Sequence, residues 1–168
     1  MSDPSQGLRI VPVRSSGVLS AHDVNLSIFN ALWLVREGIL EEADISIKET
    51  LFTPALIRIP TSTAELLILQ DRIQLSFDPK LVQDAEPLLA RVLGGIVAKL
   101  PQTPYSAVGL NSEFLVAPID ETKFEQWNRK QFGALFSATS NGSSDRFGCY
   151  LSTSQLEMQV RVECRPAR

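Results

Sequence analysis

The stretch "AELLILQDRIQLSF" (64–77) constrains the fold more than any other part of the chain. In "RIQLSF", apolar Ile73, Leu75 and Phe77 alternate with polar Arg72, Gln74 and Ser76. That period of two puts one set of side chains on one face of a strand. In "LLIL" both parities are apolar, Leu66 with Ile68 and Leu67 with Leu69, as expected of a central strand covered on both faces. Only Gln70 and Asp71 separate the two runs. Two residues can close an antiparallel hairpin but cannot carry the crossover that parallel strands need. An antiparallel sheet with this pair inside it is therefore the least the chain must build.

The pattern extends in both directions. "GLRIVPVR" (7–14) predicts a short strand, with Pro12 ending it or placing it at an edge. "ISIKETL" alternates Ile45, Ile47 and Glu49, "ALIRI" follows Pro54, and "PTST" turns the chain into the 64–69 strand. Two helices are expected. The first spans 26–37, with Asn25 as N-cap, Gly38 as the residue past its end, and Ile28, Leu32, Val35 and Ile39 at helical spacing. The second spans 85–99 and carries Leu88, Leu89, Val92, Leu93, Ile96 and Val97 as a continuous stripe. With Asp84 as its N-cap, Pro87 lies in the first turn, where backbone N–H groups have no helical partner to lose. Gly94 and Gly95 lower helix propensity, which points to close packing there.

Pro101 and Pro104 stop the second helix, and 105–116 reads as a strand. Val108, Leu110, Phe114 and Val116 form its apolar face; Tyr105, Ala107, Gly109 and Asn111 lie opposite. A glycine inside a strand marks a bulge or a close approach, so Gly109 is expected to make room for a helix crossing it. Further on, a short helix at 122–131, a polar loop at 137–145 and a C-terminal hairpin turning near 153–154 are expected. That turn would set Cys164 opposite residue 143 and exclude a bridge to Cys149. The summed expectation is an α+β single domain over 1–168. It has a largely antiparallel sheet of about six or seven strands, two main helices on one face and a third short helix. A length of 168 residues and an apolar fraction of 44% suit one folded core.

Function is less legible. His22 is the only histidine, which excludes a histidine cluster for a metal within one chain. "HDVN" (22–25) reads as the lead into a helix, not as an oriented base. The chain contains no Gly-x-Ser-x-Gly elbow, no phosphate-cradling Gly-x-x-x-x-Gly-Lys-Ser/Thr loop and no Gly-x-Gly-x-x-Gly fingerprint. The carboxylates Glu41, Glu42, Asp44, Glu113 and Asp120 would need to converge to make an acid-based or magnesium site. No cofactor is expected. The net charge of −3 disfavours nucleic-acid binding, which needs a concentrated basic surface. No apolar run has the length of a membrane helix and the N-terminus lacks the pattern of a signal peptide, so a cytoplasmic location is expected.

Charged and polar residues at alternating positions (Arg72 and Gln74, then Glu157, Gln159, Arg161 and Glu163) predict a polar sheet face, read first as solvated surface and alternatively as a contact face for a partner or a second copy. Arginine outnumbers lysine eleven to five, and Arg161, Arg165 and Arg168 gather near the C-terminus, a candidate docking segment where a frayed end is the commoner fate. The order "VNLSIFNALWLVREGILEEADI", "DRIQLSF", "LPQTPYSAVGLN" resembles a group of uncharacterised bacterial proteins with a Thr-Pro-x-x-Ala-x-Gly-x-Asn motif. Thr103, Pro104, Ala107, Gly109 and Asn111 match that motif. The resemblance covers about residues 20–115; it implies a shared fold and a bacterial origin, and no activity. The expected function is a non-catalytic module working through protein–protein contacts, as a homo-oligomer or a subunit of a bacterial assembly. The alternative is a small-molecule or nucleotide-binding protein, or an enzyme, with a pocket near Tyr105, Asn111 and the 137–145 loop. Candidate contact residues are Tyr105, Gly109, Asn111, Arg72, Arg161 and Arg165.

Overall fold

A computed structural model describes residues 8–45, 49–118, 122, 126, 130, 149–155 and 158–165. The fold is α+β: a six-stranded antiparallel sheet, a separate two-stranded sheet, one main helix and a short one. The six strands are β1 (Leu8–Ala21), β2 (Leu51–Phe52), β3 (Leu56–Pro60), β4 (Ala64–Leu69), β5 (Arg72–Phe77) and β6 (Tyr105–Pro118). They lie in the order β2-β3-β4-β5-β1-β6. The hairpin expected from 64–77 is present, with Ile68 opposite Ile73 and Leu66 opposite Leu75. Leu66, Ile68, Ile73 and Leu75 are fully buried, while Leu67 and Leu69 on the other face are half-buried. β4 lies between β3 and β5 as a central strand, but only one of its faces is fully buried, so the expected cover on both faces is incomplete.

β1 runs to 14 residues where "GLRIVPVR" suggested eight, because Ser15–Ser20 continue the strand and pair antiparallel with Phe77–Arg72. Small polar side chains have weak strand preference of their own. Here the β5 ladder, and not local propensity, extends the strand past Pro12. The first helix is also revised. A single turn at Leu26–Ile28 and the helix α1 (Ala31–Arg36) replace the continuous 26–37 helix. Two asparagines explain the break. Asn25 Oδ1 accepts from the Ser27 N–H at 3.1 Å, and Asn30 Oδ1 accepts from the Trp33 N–H at 2.9 Å, so Asn30 starts a second helix. Gly38 ends it as expected, at φ 70°. The Gly38 N–H bonds Val35 O and the Ile39 N–H bonds Leu34 O, the paired bonds of a Schellman motif.

The main helix, α2, opens as Glu86–Leu89, passes through a π-helical stretch at Ala90–Gly94 and closes as Gly95–Lys99. The N-cap residue is Ala85 and not the expected Asp84, and it makes no side-chain cap bond. Asp84, one residue earlier, accepts from the Glu86 N–H at 3.2 Å through Oδ1, and Pro87 lies in the first turn. Val92, Leu93, Ile96 and Leu100 join Leu19, Leu34, Ile39, Ile57, Ile73 and Leu75 in one core. Lys99–Glu37 (2.9 Å) and Arg91–Glu41 (2.7 Å) tie α2 to the segment around α1.

The glycines sort differently from expectation. Ile39 Cγ1 stands 3.4 Å from where a Cβ on Gly95 would be, whereas Gly94 meets nothing within 4 Å. At Gly109 a Cβ would also meet open space, so among the described residues no helix crosses β6 there. The crossing is at Gly17 in β1, where a Cβ would stand 2.5 Å from Leu89 Cδ2 and 2.7 Å from Leu93 Cδ1. The apolar face expected of 105–116 is not core either. Val108, Leu110, Phe114 and Val116 are all exposed, because α2 covers β1 and its neighbours while β6 forms the sheet edge.

The C-terminal hairpin joins β7 (Cys149–Gln155) to β8 (Met158–Cys164) as its own two-stranded sheet. Gln155 opposes Met158, which centres the hairpin three residues beyond the turn expected near 153–154, and Cys149 opposes Cys164. A turn displaced by two or more residues re-pairs every position of a hairpin, which is why the expected partner of Cys164 was wrong. The expected polar face is divided accordingly: Arg72 and Gln74 lie in the six-stranded sheet, Gln159, Arg161 and Glu163 in the two-stranded one, and Glu157 lies outside the described residues. The helix expected at 122–131, apart from three isolated positions, and the loop at 137–145 also lie outside them. The chain divides into two compact units. One is Pro12–Phe114; the other combines Leu115–Arg168 with the residues up to Val11.

Candidate functional site

Two features of the Pro12–Phe114 unit stand out: a cleft beside the loop after β1, and the open edge of β6. The loop begins where β1 ends and is laced to the sheet through its backbone. The N–H groups of Ala21 and Val24 donate to the carbonyls of Asp71 (3.0 Å) and Gln70 (2.9 Å), and the His22 N–H donates to Pro104 O (3.1 Å). Val24 and Phe29 anchor it in the core, and Phe29 meets Trp33 edge-on at 5.4 Å. Between these anchors Asp23 takes φ 57°, a left-handed conformation that aspartate tolerates better than most residues.

The cleft holds about 640 Å³, within the usual range for small-molecule sites. Asp23, Asn25, Ser27, Phe52, Pro54 and Gln70 are among its lining residues. Its chemistry is thin. Asp23 is the one ionisable side chain among the described residues that line it, and Asn25 Oδ1 is engaged by the Ser27 N–H and Oγ–H. A general base needs a nucleophile or water-activating partner within hydrogen-bond reach, and these lining residues offer no such pair. Among the described residues no group of three histidine, cysteine, aspartate or glutamate side chains is arranged to hold a metal. Of the carboxylates singled out from sequence, Glu41 pairs with Arg91 and Asp44 accepts from the Ser62 hydroxyl at 3.1 Å, while Asp120 lies outside the described residues.

The β6 edge is built differently. Along its inner side the strand follows β1 antiparallel, passing from the His22–Pro104 bond to the contact of the Ser15 and Ser112 hydroxyls at 3.4 Å. Among the described residues no strand pairs with its outer side. Val108 and Leu110 are each 74% exposed and Phe114 56%. Glu113 is the only charged residue in "YSAVGLNSEFLVAP". Natural edges are usually shortened, bulged or guarded by lysine, proline or inward charges. This one is long, apolar and nearly uncharged.

Of the residues singled out from sequence, Tyr105, Gly109 and Asn111 share β6. Tyr105 packs against the core; its hydroxyl is buried with no hydrogen-bond partner. Burial raises its pKa above 10.0, and the nearby Thr103 side chain draws it part of the way back without the geometry of a hydrogen bond. Asn111 is exposed, and neither it nor Tyr105 lines the cleft. Arg72 is exposed at the start of β5, opposite Ser20. Arg161 and Arg165 belong to the other unit, each with a local partner. Arg161 donates to Gln159 Oε1 at 3.0 Å. Arg165 Nε–H donates to Glu163 Oε1 at 2.6 Å, which holds that carboxyl below its ordinary pKa. Sequence reasoning missed the cleft. The only signal was the capping pair Asn25 and Asn30, whose double helix start creates the loop that lines it. Compared with known proteins, the chain matches no family model and no curated sequence.

Proposed function

We propose that this chain is a non-catalytic interaction module, and that it works by adding a second copy of itself to the open edge of β6. The observation that carries this reading is the exposure of Val108, Leu110 and Phe114 on a strand whose outer side has no partner among the described residues. Strand addition at such an edge gains main-chain hydrogen bonds along the ladder and burial of alternate side chains. A second β6 suits the edge well. It is apolar along the same stretch, carries a single charge, and pairs antiparallel about a two-fold axis, the commonest symmetry of homo-oligomers. The axis must avoid Glu113, because like charges directly opposite one another destabilise a strand pair.

The alternative of a small-molecule site gains less support. The cleft is large enough, but its lining provides one carboxylate and few free polar groups, and it does not include Tyr105 or Asn111. The test of the interaction reading is the solution mass of the full chain as a function of concentration, repeated with Leu110→Lys. Lysine on an edge strand opposes pairing and leaves the core untouched, since Leu110 is mostly exposed.

A further inference from the structure

The hairpin register sets Cys149 directly opposite Cys164 on adjacent antiparallel strands. Directly opposed residues have Cα atoms about 5.5 Å apart in hydrogen-bonded pairs and about 4.5 Å apart in the other kind. Both spacings fall within the roughly 4.4–6.8 Å that a disulfide spans. Cys164 ends β8 and is exposed, so a reagent in solvent reaches it. The sequence contains no third cysteine, so each thiol has one intramolecular partner.

We propose that Cys149 and Cys164 form a thiol–disulfide site, closed to a cross-strand bridge by a small-molecule disulfide and reopened by small-molecule thiols. In the forward direction the Cys164 thiolate attacks one sulfur of the disulfide. A mixed disulfide forms and one small thiolate leaves. The Cys149 thiolate then attacks the Cys164 sulfur and expels the second. The two cysteines lose two electrons to the two sulfurs of the reagent, and their two protons end on the two released thiols. The fold gives the bridge something to do. A two-stranded hairpin is marginal on its own, and every side chain of β8 is exposed, so β8 brings little burial of its own to hold the pair together. The bridge fastens the end opposite the turn, where fraying would otherwise begin. It makes hairpin order depend on the thiol–disulfide balance around it.

The test uses the full chain equilibrated without oxygen in buffers of reduced and oxidised glutathione, then acid-quenched and read by intact mass and peptide mapping. The expected product is a monomer lighter by two hydrogens, with the Cys149 and Cys164 peptides joined. Its equilibrium constant should be at least ~10-fold larger for the folded chain than in denaturant, because the register raises the effective concentration of the two thiols. Cys149→Ser should stop the reaction at a mixed disulfide on Cys164. In the oxidised chain, protease cleavage within 149–164 should slow several-fold, and reductant should restore it. Equal constants for the folded and unfolded chains would overturn the proposal. So would exclusive cross-linking between copies, or a Cys164 that carries only glutathione while Cys149 is intact.

Discussion

Replacing Gly17 by alanine tests the packing of the main helix on the sheet. The new methyl would stand 2.5 Å from Leu89 Cδ2 and 2.7 Å from Leu93 Cδ1, where carbon atoms prefer about 3.5–4.0 Å. Both leucine ends must therefore retreat by about 1 Å. Leu89 is half-buried and has some freedom to swing outward; Leu93 is 6% exposed and packed among core residues. Pushing two side chains off their rotamers costs about 0.5–1.5 kcal/mol each, in line with the roughly 1–3 kcal/mol typical of overpacking. Alanine also restricts the unfolded chain, which returns about 0.4–1 kcal/mol. The net expectation is a loss of about 1–2 kcal/mol, or a drop in Tm of about 2–8 °C for a chain of this size. Urea unfolding and differential scanning calorimetry read it, at one fixed protein concentration because association would itself move the midpoint. Gly109→Ala is the control. Nothing lies within 4 Å of that site, so it should be neutral or slightly stabilising. The cost of Gly17→Ala should also shrink in a Leu89→Ala background. If Gly17→Ala and Gly109→Ala behave alike, or if Gly17→Ala stabilises, the assigned helix crossing is wrong.

Two other substitutions probe single contacts. Tyr105→Phe removes a buried hydroxyl that has no hydrogen-bond partner, so thermal unfolding should show no loss, and a gain of up to about 1 kcal/mol. The same residue sets an alkaline limit. Its pKa is raised on folding, so its contribution is complete below the unfolded value near 10 and is lost as pH rises through the folded value. Tyr105→Phe should flatten the decline of stability above about pH 10, and ultraviolet titration should show one late-ionising tyrosine fewer. Asn30→Ala deletes the side-chain acceptor for the Trp33 N–H and should cost about 1 kcal/mol in urea unfolding. Ser or Asp at position 30 should restore most of that loss.

The parts of the fold legible from sequence are those in which local pattern and long-range packing agree. The 64–77 hairpin, the α2 stripe with Pro87 in its first turn, and the Gly38 stop all combine periodicity with a cap or turn of known geometry. Errors arose where pairing overrode local chemistry. Ser15–Ser20 look like loop but lie in β1 because β5 pairs with them. The 26–37 periodicity spans a break because Asn30 competes for the backbone. Both Gly17 and Gly109 interrupt strands, and only the crossing of α2 distinguishes them. Exposure of β6 was hidden for a related reason. An alternating apolar strand reads the same whether a helix or a missing neighbour faces it.

The central claim is that β6 is an association edge, and sedimentation velocity of the full chain across a wide concentration range tests it most directly. A reversible monomer–dimer equilibrium is predicted for the 18.5 kDa chain. Leu110→Lys should hold it as a monomer with an unchanged circular dichroism spectrum. A wild-type chain that stays monomeric at every concentration would contradict the claim. So would a dimer that Leu110→Lys leaves intact.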